Sequence, residues 1–239
     1  MKKPFLFVAL DDLTEKEKET LEITERLSNV EGPFGFKVNL DYLLDRGLQS
    51  PSTLGNIQQF GREVFTDLKM WNGTRTMASI IGNLVDREVD YLNVYALADD
   101  LLPEAIKITE GSKTKVLGLT VLTHFTEAYC RKWFQRSLKD TVKLGAKVAL
   151  KRGCHGIILP GTTLDIVQDL DIEKWTPGVR LEWYPKDARH QQEVEPRVAV
   201  RQGVTGLVCG GPIMKSQEKV GIDSVEALKR VLAEMILTV

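Results

Sequence analysis

A single (β/α)8 barrel of the α/β class (a TIM barrel), occupying residues 1–239 as one domain, is the architecture this sequence predicts. Three observations predict it. Eight short apolar runs recur along the chain, helix-like stretches separate them, and several runs are apolar on nearly every residue, as parallel strands covered on both faces require. An open doubly wound sheet is the competing architecture. Against it, the first run leads into Asp11-Asp12 instead of a glycine-rich turn, and no GxGxxG follows any run.

The first strand is expected over Phe5–Leu10 and ends in Asp11. Thr14, just before Glu15-Lys16-Glu17, reads as the N-cap of the first helix. The second strand, Phe34–Val38, contributes Lys37 and Asn39, and the third, Val64–Thr66, ends in Asp67 and Lys69. The hydroxyls and amide of Asn72-Gly73-Thr74-Arg75-Thr76 can either bind a hydroxylated ligand or cap a helix beginning near Met77. Strand four is Tyr91–Tyr95, and strand five is Val116–Leu122, with Thr120 and Thr123 at its end. Strands six, seven and eight are expected over Gly156–Leu159, Gly178–Leu181 and Gly206–Cys209, the last running into Gly210-Gly211-Pro212. Leu181–Glu195 is the least regular stretch and could form a lid. Asp223-Ser224-Val225-Glu226 opens a final helix through Leu237.

A chain of 239 residues with 43% hydrophobic and 27% charged content is long enough for a large buried core. Its formal net charge of −1 supplies no field to draw in nucleic acid or an anionic membrane, so an anionic ligand must be met by local groups. That favours a small ligand. Only six apolar residues separate Met1-Lys2-Lys3-Pro4 from Asp11, too few for a secretory or membrane segment, and the expected location is the cytoplasm. Cys130, Cys154 and Cys209 stand far apart and read as buried free thiols, with no metal site expected.

In a parallel barrel, chemistry gathers where the strands end at their C-terminal face. Asp11, Lys37, Asp67 and Lys69 would converge there as two carboxylates and two ammoniums. Asp67 and Lys69 are two apart, so where strand geometry persists their side chains point to the same side. Opposite charges within ~4–6 Å keep each other ionised, and a charged lysine is a proton donor. Alone, Asp67-Leu68-Lys69 reads more readily as an ordinary solvated turn. Gly210-Gly211 offers backbone N–H groups to a phosphate without side-chain obstruction, or forms a plain tight turn.

Together these residues resemble the orotidine 5'-phosphate decarboxylase family. Val8-Ala9-Leu10-Asp11, Phe36-Lys37-Val38 and Asp67-Leu68-Lys69 look like its first three strands, the last opening its D-x-K-x-x-D signature. Asn93-Val94-Tyr95-Ala96, Leu119-Thr120-Val121-Leu122-Thr123 and Thr176-Pro177-Gly178-Val179-Arg180 look like strands four, five and seven. The resemblance implies cofactor-free decarboxylation of orotidine monophosphate to uridine monophosphate by a homodimer. Asp11 and Lys37 would bind the ribose hydroxyls, Lys37 also belonging to the catalytic group. Asp67 would press on the substrate carboxylate and Lys69 would protonate the ring carbon. Thr123, Pro177, Gln191, Gly210 and Gly211 would contact the substrate, and Thr76 would reach across the dimer interface.

The chain departs from the family pattern at three places. Asn72 stands where the last aspartate of D-x-K-x-x-D belongs, Gly211 replaces an arginine expected to clamp the phosphate, and Leu159-Pro160-Gly161 replaces a Cys-Ser-Ala run. The glutamine expected before Glu195-Pro196 is Gln191, or His190 fills its position. Two alternatives therefore stand beside the first reading: a metal-assisted lyase of the same superfamily acting on another sugar phosphate, and a non-catalytic nucleotide or phosphate binder.

Overall fold

A computed structural model describes residues 3–186 and 192–236. Eight parallel strands close in sequence order: β1 (Phe5–Ala9), β2 (Phe34–Asn39), β3 (Val64–Asp67), β4 (Tyr91–Tyr95), β5 (Lys115–Leu119), β6 (Gly156–Ile158), β7 (Glu173–Thr176) and β8 (Gly206–Cys209). β8 returns to β1, with Phe7 beside Val208 and Val8 beside Cys209. Among the described residues no helix is long and apolar enough to cross a membrane.

The two-residue period of the strands sorts their side chains into two apolar groups. Leu6, Val8, Phe36, Val64, Leu92 and Val116 face the surrounding helices. Phe7, Ala9, Phe65, Tyr91, Leu117 and Trp175 belong to a separate cluster inside the barrel. There Phe7 stands 5.4 Å from Phe65, 5.3 Å from Tyr91 and 5.2 Å from Trp175, centroid to centroid, and these rings plug the lower barrel. Gly206 makes room for the plug, because a Cβ there would lie 2.2 Å from the Trp175 ring.

The seventh strand is not where the apolar pattern predicts it. It runs over Glu173–Thr176, and Gly178–Leu181 is not a strand. Glu173 and Lys174 mask it as a charged turn, although Trp175 points into the barrel and Thr176 Oγ1 donates to the Leu159 carbonyl at 2.8 Å. Pro177 then ends the strand, Gly178 takes φ +75°, and buried Val179 forms only an isolated bridge to Val194. Strand five also stops at Leu119, three residues earlier than expected.

Helix starts differ as well. The first helix is Glu17–Ser28, its N-cap Lys16 makes no side-chain capping bond, and Thr14 instead donates to Asp41 Oδ2 at 2.7 Å. The helix after β3 begins at Thr74 rather than near Met77 and has Gly73 as its N-cap, so neither Asn72 nor Thr76 caps it. The final helix, Ser224–Ile236, opens as expected, with the Val225 N–H donating to Asp223 Oδ1 at 2.9 Å.

Candidate active site at the barrel mouth

Above the aromatic plug the inward-facing series turns polar. Ala9 is followed two residues later by Asp11, Phe65 by Asp67 and Tyr91 by Asn93, and the register puts Lys37 level with Ala9 and Phe65. These side chains line a cavity of about 990 Å³ at the C-terminal ends of the strands. The volume suits a small ligand of nucleotide size.

Lys37 is at the centre. Its Nζ lies 3.0 Å from Asp11 Oδ1 and 3.2 Å from Asp67 Oδ2, and it also contacts Asn39 Oδ1. Asn39 Nδ2 in turn donates to Asp11 Oδ1 at 3.1 Å. Lys69 Nζ reaches the same Asp67 Oδ2, leaving Oδ1 to the amide of Asn93 at 2.7 Å. Charges therefore alternate around the mouth: Asp11, Lys37, Asp67, Lys69.

Burial alone would raise the Asp67 carboxyl pKa, but the attraction of Lys37 and then Lys69 outweighs it and holds the group at about 2. Asp11 is likewise lowered, since Lys37 overcomes the effect of burial. Burial works against the Lys37 ammonium, but Asp67 and Asp11 raise its pKa above the ordinary lysine value. Lys69 moves the other way. Burial lowers it, Asp67 supports the charged form, and the neighbouring Lys37 ammonium lowers it further. A lysine in that condition gives up a proton more readily than one in water.

The opposite wall is glycine and hydroxyl. Gly210 approaches Asp11 so closely that a Cβ there would lie 3.0 Å from Asp11 Oδ2, and one on Gly211 would lie 3.2 Å from the Tyr184 hydroxyl. Tyr184 thus borders the space above Gly211 that a longer side chain would enter. Lys215 Nζ stands 3.1 Å from Asp12 Oδ2, and Arg180 Nε 3.1 Å from Glu193 Oε1. Arg180, Lys186, Lys215 and Lys219 line the cavity with Tyr184, alongside the carboxylates Asp12, Glu15 and Glu218, and Lys219 Nζ stands 2.8 Å from Glu218 Oε1, so the rim is a mixed one whose cations can reach an anionic group.

Of the site residues expected from sequence, Asp11, Lys37, Asp67, Lys69, Thr123, Pro177, Gly210 and Gly211 line the cavity. Asn72 and Thr76 are not among the described residues lining it: Asn72 is exposed and Thr76 half-buried on the Thr74–Asp86 helix. Gln191, its alternative His190, and the middle of the expected lid lie outside the described residues. Pattern reading assigned no role to Asn93 or Tyr184. The available signal for Asn93 was a polar residue at an inward position of an otherwise apolar strand. Among the described residues no group of three or more His, Cys, Asp or Glu side chains is arranged to hold a metal ion.

Comparison with known proteins identifies the family and the fold. The family model described as "Orotidine 5'-phosphate decarboxylase / HUMPS family" matches residues 4–227. Orotidine 5'-phosphate decarboxylase of Dictyoglomus turgidum is 31% identical over 229 residues, covering 89% of each chain. That of Carboxydothermus hydrogenoformans is 29% identical over 227 residues, covering 90% of each. In fold, the crystal structure of orotidine 5'-phosphate decarboxylase from Lactobacillus acidophilus superposes with a TM-score of 0.76 at 21% identity, over 98% of this chain and 100% of that one.

Proposed function

The chain belongs to the orotidine 5'-phosphate decarboxylase / HUMPS family, and from that premise we propose that it decarboxylates orotidine 5'-phosphate to uridine 5'-phosphate in pyrimidine biosynthesis, without a cofactor. The observation that carries this reading is the Lys37–Asp67–Lys69 array. One buried carboxylate is held ionised between two ammoniums at the base of a nucleotide-sized cavity.

A substrate carboxylate set beside Asp67 meets a like charge. As the bond to carbon dioxide breaks, its electron pair stays on the ring carbon, and negative charge leaves Asp67 and moves toward Lys69. Lys69 Nζ then delivers its proton to that carbon, completing the new C–H bond. The array is thus better matched to the transition state than to the bound substrate, the condition for raising kcat. Asp11 and Lys37 would take the ribose hydroxyls. Thr123 and Pro177 line the intervening wall, and the phosphate would lie against Gly210 and Gly211, with Lys215 and Tyr184 supplying what the absent arginine does not.

The metal-assisted sugar-phosphate alternative ranks second because Asp11 and Asp67 are both ion-paired with Lys37. A divalent cation would compete with that ammonium for both carboxylates. The position of Asn72 and Thr76 away from the chain's own cavity is compatible with a cytoplasmic homodimer in which each chain completes its partner's site.

Purified protein in metal-free buffer should convert orotidine monophosphate, and Lys69→Ala should do so at least about a hundredfold more slowly. Asn72→Asp supplies the carboxylate of the D-x-K-x-x-D pattern, and if a partner chain brings it to about 4 Å from the array, a unit charge there is worth ~4 kcal/mol at an effective dielectric near 20, so kcat should rise by at least tenfold. Turnover near the parent rate in Lys69→Ala would remove the proton donor from this account. Mixing inactive Lys69→Ala and Thr76→Ala chains tests the shared site, since a hybrid dimer recovers one intact site and separate sites recover none.

A further inference from the structure

Asn93 is fully buried between the two groups on which the proposed chemistry depends. Its Nδ2 donates to Asp67 Oδ1 at 2.7 Å, and its Oδ1 accepts the backbone N–H of Lys69 at 2.9 Å. Both contacts have directional consequences. Asp67 Oδ2 receives Lys37 and Lys69 together, so the amide on Oδ1 stops the carboxylate from rotating away from either. Lys69 has φ +46°, in the left-handed region that side-chain-bearing residues enter only where their surroundings hold them. The hydrogen bond holding that backbone comes from Asn93.

We infer that Asn93 is a positioning residue for the decarboxylation, one amide fixing the carboxylate of Asp67 through its donor and the backbone of Lys69 through its acceptor. The base of the array and the proton donor then share one rigid reference on β4, a strand neither belongs to. Neither bond needs substrate, so the arrangement is set before binding. The inference rests on Lys69 being the proton donor.

Replacing the amide tests it. Asn93→Ala frees both partners, and kcat should fall about 10–100-fold, the scale of an ångström-level misplacement, while KM for orotidine monophosphate changes by less than about twofold. Asn93→Asp keeps the acceptor for the Lys69 N–H but sets a second carboxylate against Asp67. That pair, with Lys37 and Lys69 facing it, binds a proton on acidification, and the protonated carboxyl of Asn93→Asp can donate to Asp67 as the amide did. Activity of Asn93→Asp relative to the unsubstituted protein should therefore recover as pH falls, a response that a purely structural role would not produce. If Asn93→Ala folds poorly, the near-isosteric Asn93→Asp carries the test. Variants that stay folded with kcat within about twofold of the parent and no such recovery overturn the inference. If the parent itself does not turn over orotidine monophosphate, the functional reading falls and amide exchange at Lys69 decides the positioning: faster exchange in Asn93→Ala supports it, equal exchange overturns it.

Discussion

At opposite ends of the barrel a partly exposed lysine is paired with a carboxylate, and the two lysines respond in opposite directions. At the floor, Lys115 Nζ lies 2.9 Å from Glu173 Oε1 and 3.2 Å from the Tyr91 hydroxyl, while Trp175 Nε1 donates to Glu173 Oε2 at 3.2 Å. At the mouth, Lys69 shares Asp67 with Lys37. Their side-chain exposures are similar, 38% for Lys115 and 41% for Lys69, but Lys69 sits deeper among protein atoms. Burial lowers both pKa values, but the bonds to Glu173 and Tyr91 carry Lys115 above the ordinary lysine value, whereas Lys69 stays below it. Two things differ: Lys69 is more strongly desolvated, and it faces a second ammonium, Lys37, whereas Lys115 has a carboxylate of its own and the Tyr91 hydroxyl. A lysine placed like Lys69 holds its proton less tightly than one placed like Lys115.

The largest expected effect separates the two lysines by activity. Lys69→Ala should cut kcat by about 10²–10⁴-fold, the range for a lost proton-transfer group, and Lys115→Ala should leave kcat within about twofold. Steady-state assays with orotidine monophosphate measure both. Equal losses would mean that the floor supports catalysis and would break the distinction. The basic limb of the kcat profile should fall below the ordinary lysine value of 10.5, because Lys69 must be charged to donate.

Next in size is Asp67→Asn. Lys37, only 7% exposed at its side chain, then loses its most buried partner but keeps Asp11 at 3.0 Å, so the cost should fall below the ~3–5 kcal/mol of a buried charge left wholly unpaired. Denaturant unfolding should show that loss. The basic limb should also move further to acid, because Asp67 is the group that supports the Lys69 charge.

Acid sharpens the contrast without a mutation. The Asp67 carboxyl is held at about 2, below its ordinary 3.8, so the unfolded chain takes up its proton first. The stability it contributes, roughly 2–3 kcal/mol, is complete above the ordinary value and is lost as pH falls from about 4 toward 2. Glu63, at the floor, is raised by burial and then by Asp90, so its contribution grows with acid and vanishes as pH rises through its folded value. Unfolding followed from pH 5 to 2 should therefore lose stability in the parent, and lose less of it in Asp67→Asn.

The same contrast marks what pattern reading reached. Asp11, Lys37, Asp67 and Lys69 were legible because a barrel places strand ends at its mouth, and local order in the chain is enough to find a strand end. The floor was not legible. Glu173 and Lys174 look like a turn until Lys115 and Trp175 are known to be beside them, and the apolar pair Val179 and Leu181 takes the strand's place in the pattern while being buried outside it. Asn93 was missed for a related reason. Its two bonds join β4 to residues 67 and 69, so its role depends on strand register and on a backbone angle that no local spacing encodes. The expected contribution of Asn72 and Thr76 needs a second chain, and neither side chain lines the cavity of its own.

Glu173→Gln has the smallest expected effect and tests the comparison most directly, because it makes at the floor the change that Asp67→Asn makes at the mouth. The glutamine carbonyl can still accept from Trp175 Nε1, and only the charge facing Lys115 is removed. With side chains 38% and 28% exposed, that ion pair is screened and solvated, and exposed pairs are worth at most about 1 kcal/mol. Lys115 stays hydrated where Lys37 does not. Denaturant unfolding should thus place Glu173→Gln within about 1 kcal/mol of the parent, with kcat and its pH profile unchanged. A loss as large as that of Asp67→Asn would show that Glu173 and Lys115 are locked into the aromatic plug above them, and that burial does not distinguish the two ends. A shifted kcat profile would mean that charge at the floor is felt at Lys69 through the plug.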